Sequence, residues 1–256
     1  MSTLRHLCLR AALLAYPDEK LAATAAIASD KVGVDQLFED VPRGLRSTPV
    51  LMPAAKLTQR SVNTVEGRAA LIHALAHIEL NAVDLALDIV WRFAGMPDDF
   101  YRQWVRVAKE EAYHFTLLRD HLRGMGHEYG DFPAHNALWE MAEKTKGDLL
   151  ARVALVPRTL ETRGLDASPP IKAKLVKAGD LRAGEILDII LRDEIGHVAL
   201  GNHWYRWLCA ERGLEPVATY AELAAQYGAP KPRGPFNLNA RREAGFTEEE
   251  LRALES

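Results

Sequence analysis

Two Glu-x-x-His motifs, Glu111-Ala-Tyr-His114 and Glu194-Ile-Gly-His197, are the residues of this chain best suited to chemistry. At three-residue spacing on a helix, a carboxylate and an imidazole project from one face about a turn apart, so both reach one metal ion. One such motif among nine histidines is weak evidence. The context is stronger. A lone glutamate precedes each motif at nearly the same distance, Glu79 by 32 residues and Glu161 by 33. An acidic residue, Glu110 or Asp193, stands directly before each motif. The order Glu … Glu-x-x-His … Glu … Glu-x-x-His is an internal two-fold repeat. On four helices it offers four carboxylates and two imidazoles to one dinuclear metal centre.

Helical position supports this assignment. Around Glu79, the positions three, four and seven away include Ile72, Leu75, Ala76, Ala82, Val83 and Ala86. Around Glu111 they include Trp104, Val107, Ala108, Phe115 and Leu118, and around Glu194 they include Leu187, Ile190, Leu191 and Val198. Each glutamate therefore points into an apolar stripe. A buried ionised carboxylate costs several kcal/mol unless it is paired or metal-bound, so a shared cation is the simplest solution. Glu161 has a competing reading, a surface pair with Arg158. It is retained as a ligand because Glu140 and Glu143 flank a polar stretch. Asp193 and Glu110 are placed as acceptors for the ligand histidines' N–H groups, with solvated helix charges as the alternative. His77 lies about 200° around its helix from Glu79, which assigns it and His73 to helix packing or a second site. His121, His127, His135 and His203 are read as surface or capping residues, and Tyr113 as pointing away from the ligand face.

Long helices must position these groups. One is expected from Asn63, with Glu66 at capping-box distance, to the Gly95-Met96-Pro97 stop. A second runs from Asp98 or Asp99 to Gly124, followed by a turn-rich connector, Gly126 to Pro133. A third covers about Asn136 to Arg163, stopping at Gly164, with a kink where Pro157 removes the donor for the Val153 carbonyl. A fourth runs from Leu181 to Arg212, closed by Gly213 and Pro216. The expected fold class is all-α, a four-helix bundle over 63–213. Residues 1–62 form an N-terminal helical and loop extension, with Pro42, Pro49 and Pro53 in the loop. Residues 214–256 hold a helix and a proline-rich tail, then a short helix from the Thr247-Glu-Glu-Glu capping box. All three segments are read as a single structural domain.

Composition limits the function classes. The 256-residue chain has a net charge of −3, without the electrostatic footprint of a dedicated nucleic-acid or polybasic membrane binder. Cys8 and Cys209 are too few for a disulfide framework and fit a reducing compartment. The first apolar stretch, Leu7 to Ala15, is short and carries Arg10, so no signal peptide is read, and no uncharged apolar run approaches a membrane span. The expected location is cytoplasmic.

These residues resemble the ferritin-like di-iron carboxylate superfamily, which includes ferritins, rubrerythrins, bacterial multicomponent monooxygenases and ribonucleotide reductase small subunits. The stretches EGRAALIHALAHIELNAVDLALD, EEAYHFTLLRDHL, YGDFPAHNALWEMA, LVPRTLETRGLD and RDEIGHVALGNHWYRWLC resemble more closely an uncharacterised bacterial family of ferritin-like domains of unknown function, over roughly residues 40–250. The resemblance implies Glu79, Glu111 and His114 on one ion and Glu161, Glu194 and His197 on the other, with Glu111 and Glu194 bridging. It also implies two transition-metal ions, iron first and manganese second. The expected activity is an O₂-activating hydroxylase or oxidase that acts on a small organic molecule and draws on an electron donor, with no catalytic residue beyond the metal ligands. Two alternatives are a ferroxidase or iron-handling protein and a tRNA-modifying di-iron hydroxylase, the latter disfavoured by the charge. No Cys-x-x-Cys pair is present for a rubredoxin-type iron.

Overall fold

The computed structural model describes residues 2–41, 46–58 and 60–255; Pro42 lies outside the described residues. The chain is all-α. Among the described residues the only β pairing is an isolated bridge between Leu51 and Ala134. Two compact units, Met1–Trp139 and Glu140–Ser256, divide the chain.

In the first unit, α1 (Leu4–Ala12) and α2 (Pro17–Ala25) precede the long α3 (Val65–Arg92) and α4 (Asp98–Gly124). Thr64, not Asn63, caps α3, its Oγ1 accepting the Gly67 N–H at 3.0 Å. Asn63 instead donates its backbone N–H to the Ser61 hydroxyl. The turn between α3 and α4 follows from Gly95, whose φ of 80° is the left-handed value that ends helices. The Tyr101 hydroxyl fastens that turn, donating to the Phe93 carbonyl at 3.1 Å and accepting the Met96 N–H at 3.0 Å. So short a link makes α3 and α4 an antiparallel pair, with α1 against α3 and α2 against α4. By length and composition α3 could cross a membrane, with mean hydropathy 1.4. Yet 72% of that window is buried inside the protein, as in a core helix.

Arg5 anchors α1. Its guanidinium is fully buried between the Phe38 and Tyr101 rings. It donates to the carbonyls of Val90, Trp91, Gly33 and Val34 at 2.7–3.1 Å. Val90 and Trp91 belong to the last turn of α3, where carbonyls lack helical partners. Arg5→Lys keeps the charge but loses the fork. It is expected to cost about 2 kcal/mol in urea unfolding; an unchanged midpoint would show that the fork is dispensable.

The second unit holds α6 (Leu149–Leu155), a π-helical turn (Val156–Glu161), α7 (Thr162–Lys177), α8 (Leu181–Glu211), α9 (Pro216–Gln226), α10 (Leu238–Glu243) and α11 (Glu248–Glu255). In sequence, α5 (Ala137–Lys144) includes the point at which the chain divides. The expected third helix is therefore broken once, into α5 and a longer run from α6 through the π turn into α7. It breaks after Lys144 and restarts where the Asp148 carboxylate caps the Ala151 N–H at 3.2 Å. At Pro157 it widens into the π turn, and the Thr159 hydroxyl satisfies the Ala154 carbonyl at 2.7 Å. Gly164 does not stop it, because that glycine keeps an ordinary negative φ. The helix even passes Pro169 and Pro170, since Asn237 Nδ2 supplies the donor that Pro169 denies the Leu165 carbonyl, at 3.2 Å. At the C-terminus, the Thr247 box forms as expected: Glu250 accepts the Thr247 N–H at 2.8 Å, and Thr247 Oγ1 accepts the Glu250 N–H at 3.2 Å.

Candidate metal centre

The antiparallel pairing of α3 and α4 brings Glu79 beside the Glu111-Ala-Tyr-His114 turn. His114 Nδ1 lies 3.3 Å from Glu79 Oε2 and 3.4 Å from Glu111 Oε2. Ligand atoms of all three residues fall within 4.8 Å of one another, and all three side chains are buried. The surrounding wall, Trp104, Val107, Ala108, Phe115 and Leu118, is buried as the helical period requires.

Burial alone would lower the His114 pKa, but hydrogen bonding and charge from Glu111 and Glu79 reverse this and raise it to about 11. The two carboxylates thus favour the charged imidazole, whose single positive charge balances one of them. A divalent cation can take over that role, and the donor set suits one: carboxylate oxygens and an imidazole nitrogen, with no thiolate. The residues fit a metal ion. The buried carboxylate/histidine cluster could hold one.

In the second unit, α8 carries the other motif. His197 Nδ1 lies 3.5 Å from Glu194 Oε1, and both side chains are buried. Glu161 closes the π turn. It is half-buried, with its Oε2 shielded from solvent. Arg158, the rival partner considered for it, is committed to Glu250. Asp193 sits against Arg192, its Oδ1 2.8 Å from Nε, and Glu110 lies 3.8 Å from Arg106 at the surface of α4.

The other histidines of α3 have different work. His73 stacks on Tyr129 at 5.2 Å and accepts the Gly130 N–H at Nε2, 2.9 Å away. Burial pushes its pKa down to about 4. His77 meets the Tyr129 hydroxyl at 2.8 Å through Nδ1 and the His135 carbonyl at 3.1 Å through Nε2. Both imidazoles thus hold the connector after α4 against α3. Tyr113 is half exposed on α4. Among the described residues, no donor group of three or more adds a residue beyond those named from sequence. Sequence reasoning did miss the π geometry that carries Glu161. Its one local cue was Pro157.

The family described as "Protein of unknown function (DUF455)" matches residues 13–252. An "Uncharacterized protein" of Haemophilus influenzae is 48% identical over 210 residues, covering 79% of this chain and 73% of that protein. No solved structure matches. With nearly its whole length matched, the chain belongs to the DUF455 family.

Proposed function

We propose that this protein is a di-metal carboxylate oxidoreductase that uses O₂ to hydroxylate or oxidise a small organic substrate in the cytoplasm. The observation that carries the reading is the buried convergence of Glu79, Glu111 and His114. The internal repeat supports a second set, Glu161, Glu194 and His197, completing one dinuclear centre of the ferritin-like kind. Iron is the metal this donor set favours first, and manganese is the alternative. When bound, such a pair supplies the electrons and Lewis acidity for reducing dioxygen, replenished by an external donor. The chain's own residues provide the rest. The glutamates balance the ions' charge, the histidines present neutral nitrogen donors, and Trp104, Val107 and Phe115 keep water away. The slightly acidic chain, at −3, argues against a tRNA substrate.

The test is elemental analysis of protein from an iron-replete host, with about two transition-metal ions per chain expected. A well-folded, metal-free product would sink the reading. Anaerobic reduction followed by O₂ in the presence of a metabolite extract then separates the activities. An oxidised organic product identifies an oxygenase. Oxidation of Fe(II) alone identifies a ferroxidase.

A further inference from the structure

Glu161 is held by an unusual piece of backbone. A π turn, with i→i+5 hydrogen bonds, is rare and occurs mostly as a single-turn bulge inside an α-helix, frequently at a functional site. Relaxation of the turn to α-helix would shift the register by one residue and rotate Glu161 by about 100° relative to its neighbours. Something must hold the turn, and the candidates are distant in sequence.

Arg158, three residues before Glu161, is 4% exposed. Its guanidinium is ion-paired with Glu250 of the α11 capping box and ringed by Tyr205, Tyr220 and Phe246 at 4.7–5.1 Å. Arg206 of α8 holds the other oxygen of Glu250 at 2.9 Å. Five residues after Glu161, Asp166 receives Arg241 at 2.6 and 3.1 Å and the Asn237 N–H at 2.8 Å. Arg241, on α10, is also buried. Ala240, Ala244, Phe246 and Leu251 pack with Leu165 and Val198, the latter adjacent to His197. Gly201 lets α8 approach the turn: a Cβ there would stand 3.0 Å from Pro157 Cβ and 3.4 Å from the Arg158 nitrogen.

We infer that the C-terminal segment 236–251 is a clamp that positions Glu161 for metal binding, acting through the buried Arg158–Glu250 and Asp166–Arg241 pairs on either side of it. Arg158, Glu250, Asp166 and Arg241 are positioning residues in this account. The inference rests on reading Glu161, Glu194 and His197 as one ion's ligands. It assigns the C-terminal helices a role in the metal site beyond covering α8.

The test is Mn(II) binding to the metal-free full-length chain, followed by calorimetry and by the EPR signal of bound manganese. The wild type and Glu161→Ala calibrate it: two ions for the former, and loss or strong weakening of one ion for the latter. Glu250→Gln, which keeps shape and removes charge, is expected to weaken that same ion by about 10- to 100-fold, as groups that orient ligands commonly do. The other ion's affinity should be unchanged, and the EPR spectrum should resemble that of Glu161→Ala. Asp166→Asn, at the opposite clamp, carries the same expectation and serves if Glu250→Gln does not fold. A folded Glu250→Gln or Asp166→Asn that binds both ions like wild type overturns the clamp while leaving the metal reading intact. A wild type that binds no Mn(II), or a Glu161→Ala chain that binds two normally, overturns the reading on which the clamp rests.

Discussion

Metal-free protein given Mn(II) or anaerobic Fe(II) at a thousand times the dissociation constant is expected to gain about 4 kcal/mol of stability, because the ion binds only the folded chain. For a chain of this size that is a rise in Tm of roughly 8–16 °C. The reason lies in the site. Glu79, Glu111 and His114 are buried within 4.8 Å of one another, and the unfolded chain cannot reproduce that convergence. Replacing Glu111 and His114 together with Ala should remove at least one ion and most of the thermal gain. The same holds for Glu194 and His197. The metal-free wild type is expected to fold, with the raised pKa of His114 favouring an imidazolium that balances one of the two carboxylate charges. Scanning calorimetry with and without metal checks this. Equal shifts in the wild type and the Glu111/His114 double variant would show that these donors are not ligands.

The second large effect concerns stability alone. Lys20 and Asp84 form an ion pair at 2.5 Å with both side chains fully buried, and Arg46 contacts the other oxygen of Asp84. Lys20 also donates to the carbonyls of Ala11 and Ala12 at 3.2 and 2.8 Å, closing the end of α1. The pair therefore ties α2 to α3 and to the end of α1. Asp84→Ala leaves an ammonium buried with no counter-charge at that distance and is expected to cost about 3–5 kcal/mol in urea unfolding. Adding Lys20→Met should recover part of the loss, because it removes the buried ammonium, while Arg46 still lacks Asp84. A single-variant loss below about 1 kcal/mol, or a double variant less stable than Asp84→Ala, would contradict this account.

The long helices were legible because their signals are local. α4 begins and ends where Asp98 and Gly124 indicated, and α8 begins at Leu181 and stops one residue short of Arg212. Punctuation by Gly95, Pro97 and Gly213 lies within a turn of the boundary it sets. The α3 cap moved by one residue, from Asn63 to Thr64, as neighbouring polar side chains compete for the same N–H groups. The expected third helix failed for the opposite reason. Whether a helix survives Pro169 depends on a donor for the Leu165 carbonyl, and that donor, Asn237, lies 72 residues away.

The same division runs through the candidate site. Sequence by itself determined which side chains are offered. The three-residue spacing of each Glu-x-x-His motif and the apolar stripes around Glu79, Glu111 and Glu194 follow from the helical period, which needs no knowledge of the fold. Tertiary structure alone decided that Glu79 reaches His114, because that meeting depends on α3 and α4 folding back through Gly95. It also decided that Glu161 ends a π turn and that Arg158 belongs to Glu250, 92 residues on. Periodicity reports which face of a helix a residue occupies. The partner on that face is chosen by chain closure and burial, which no local pattern encodes.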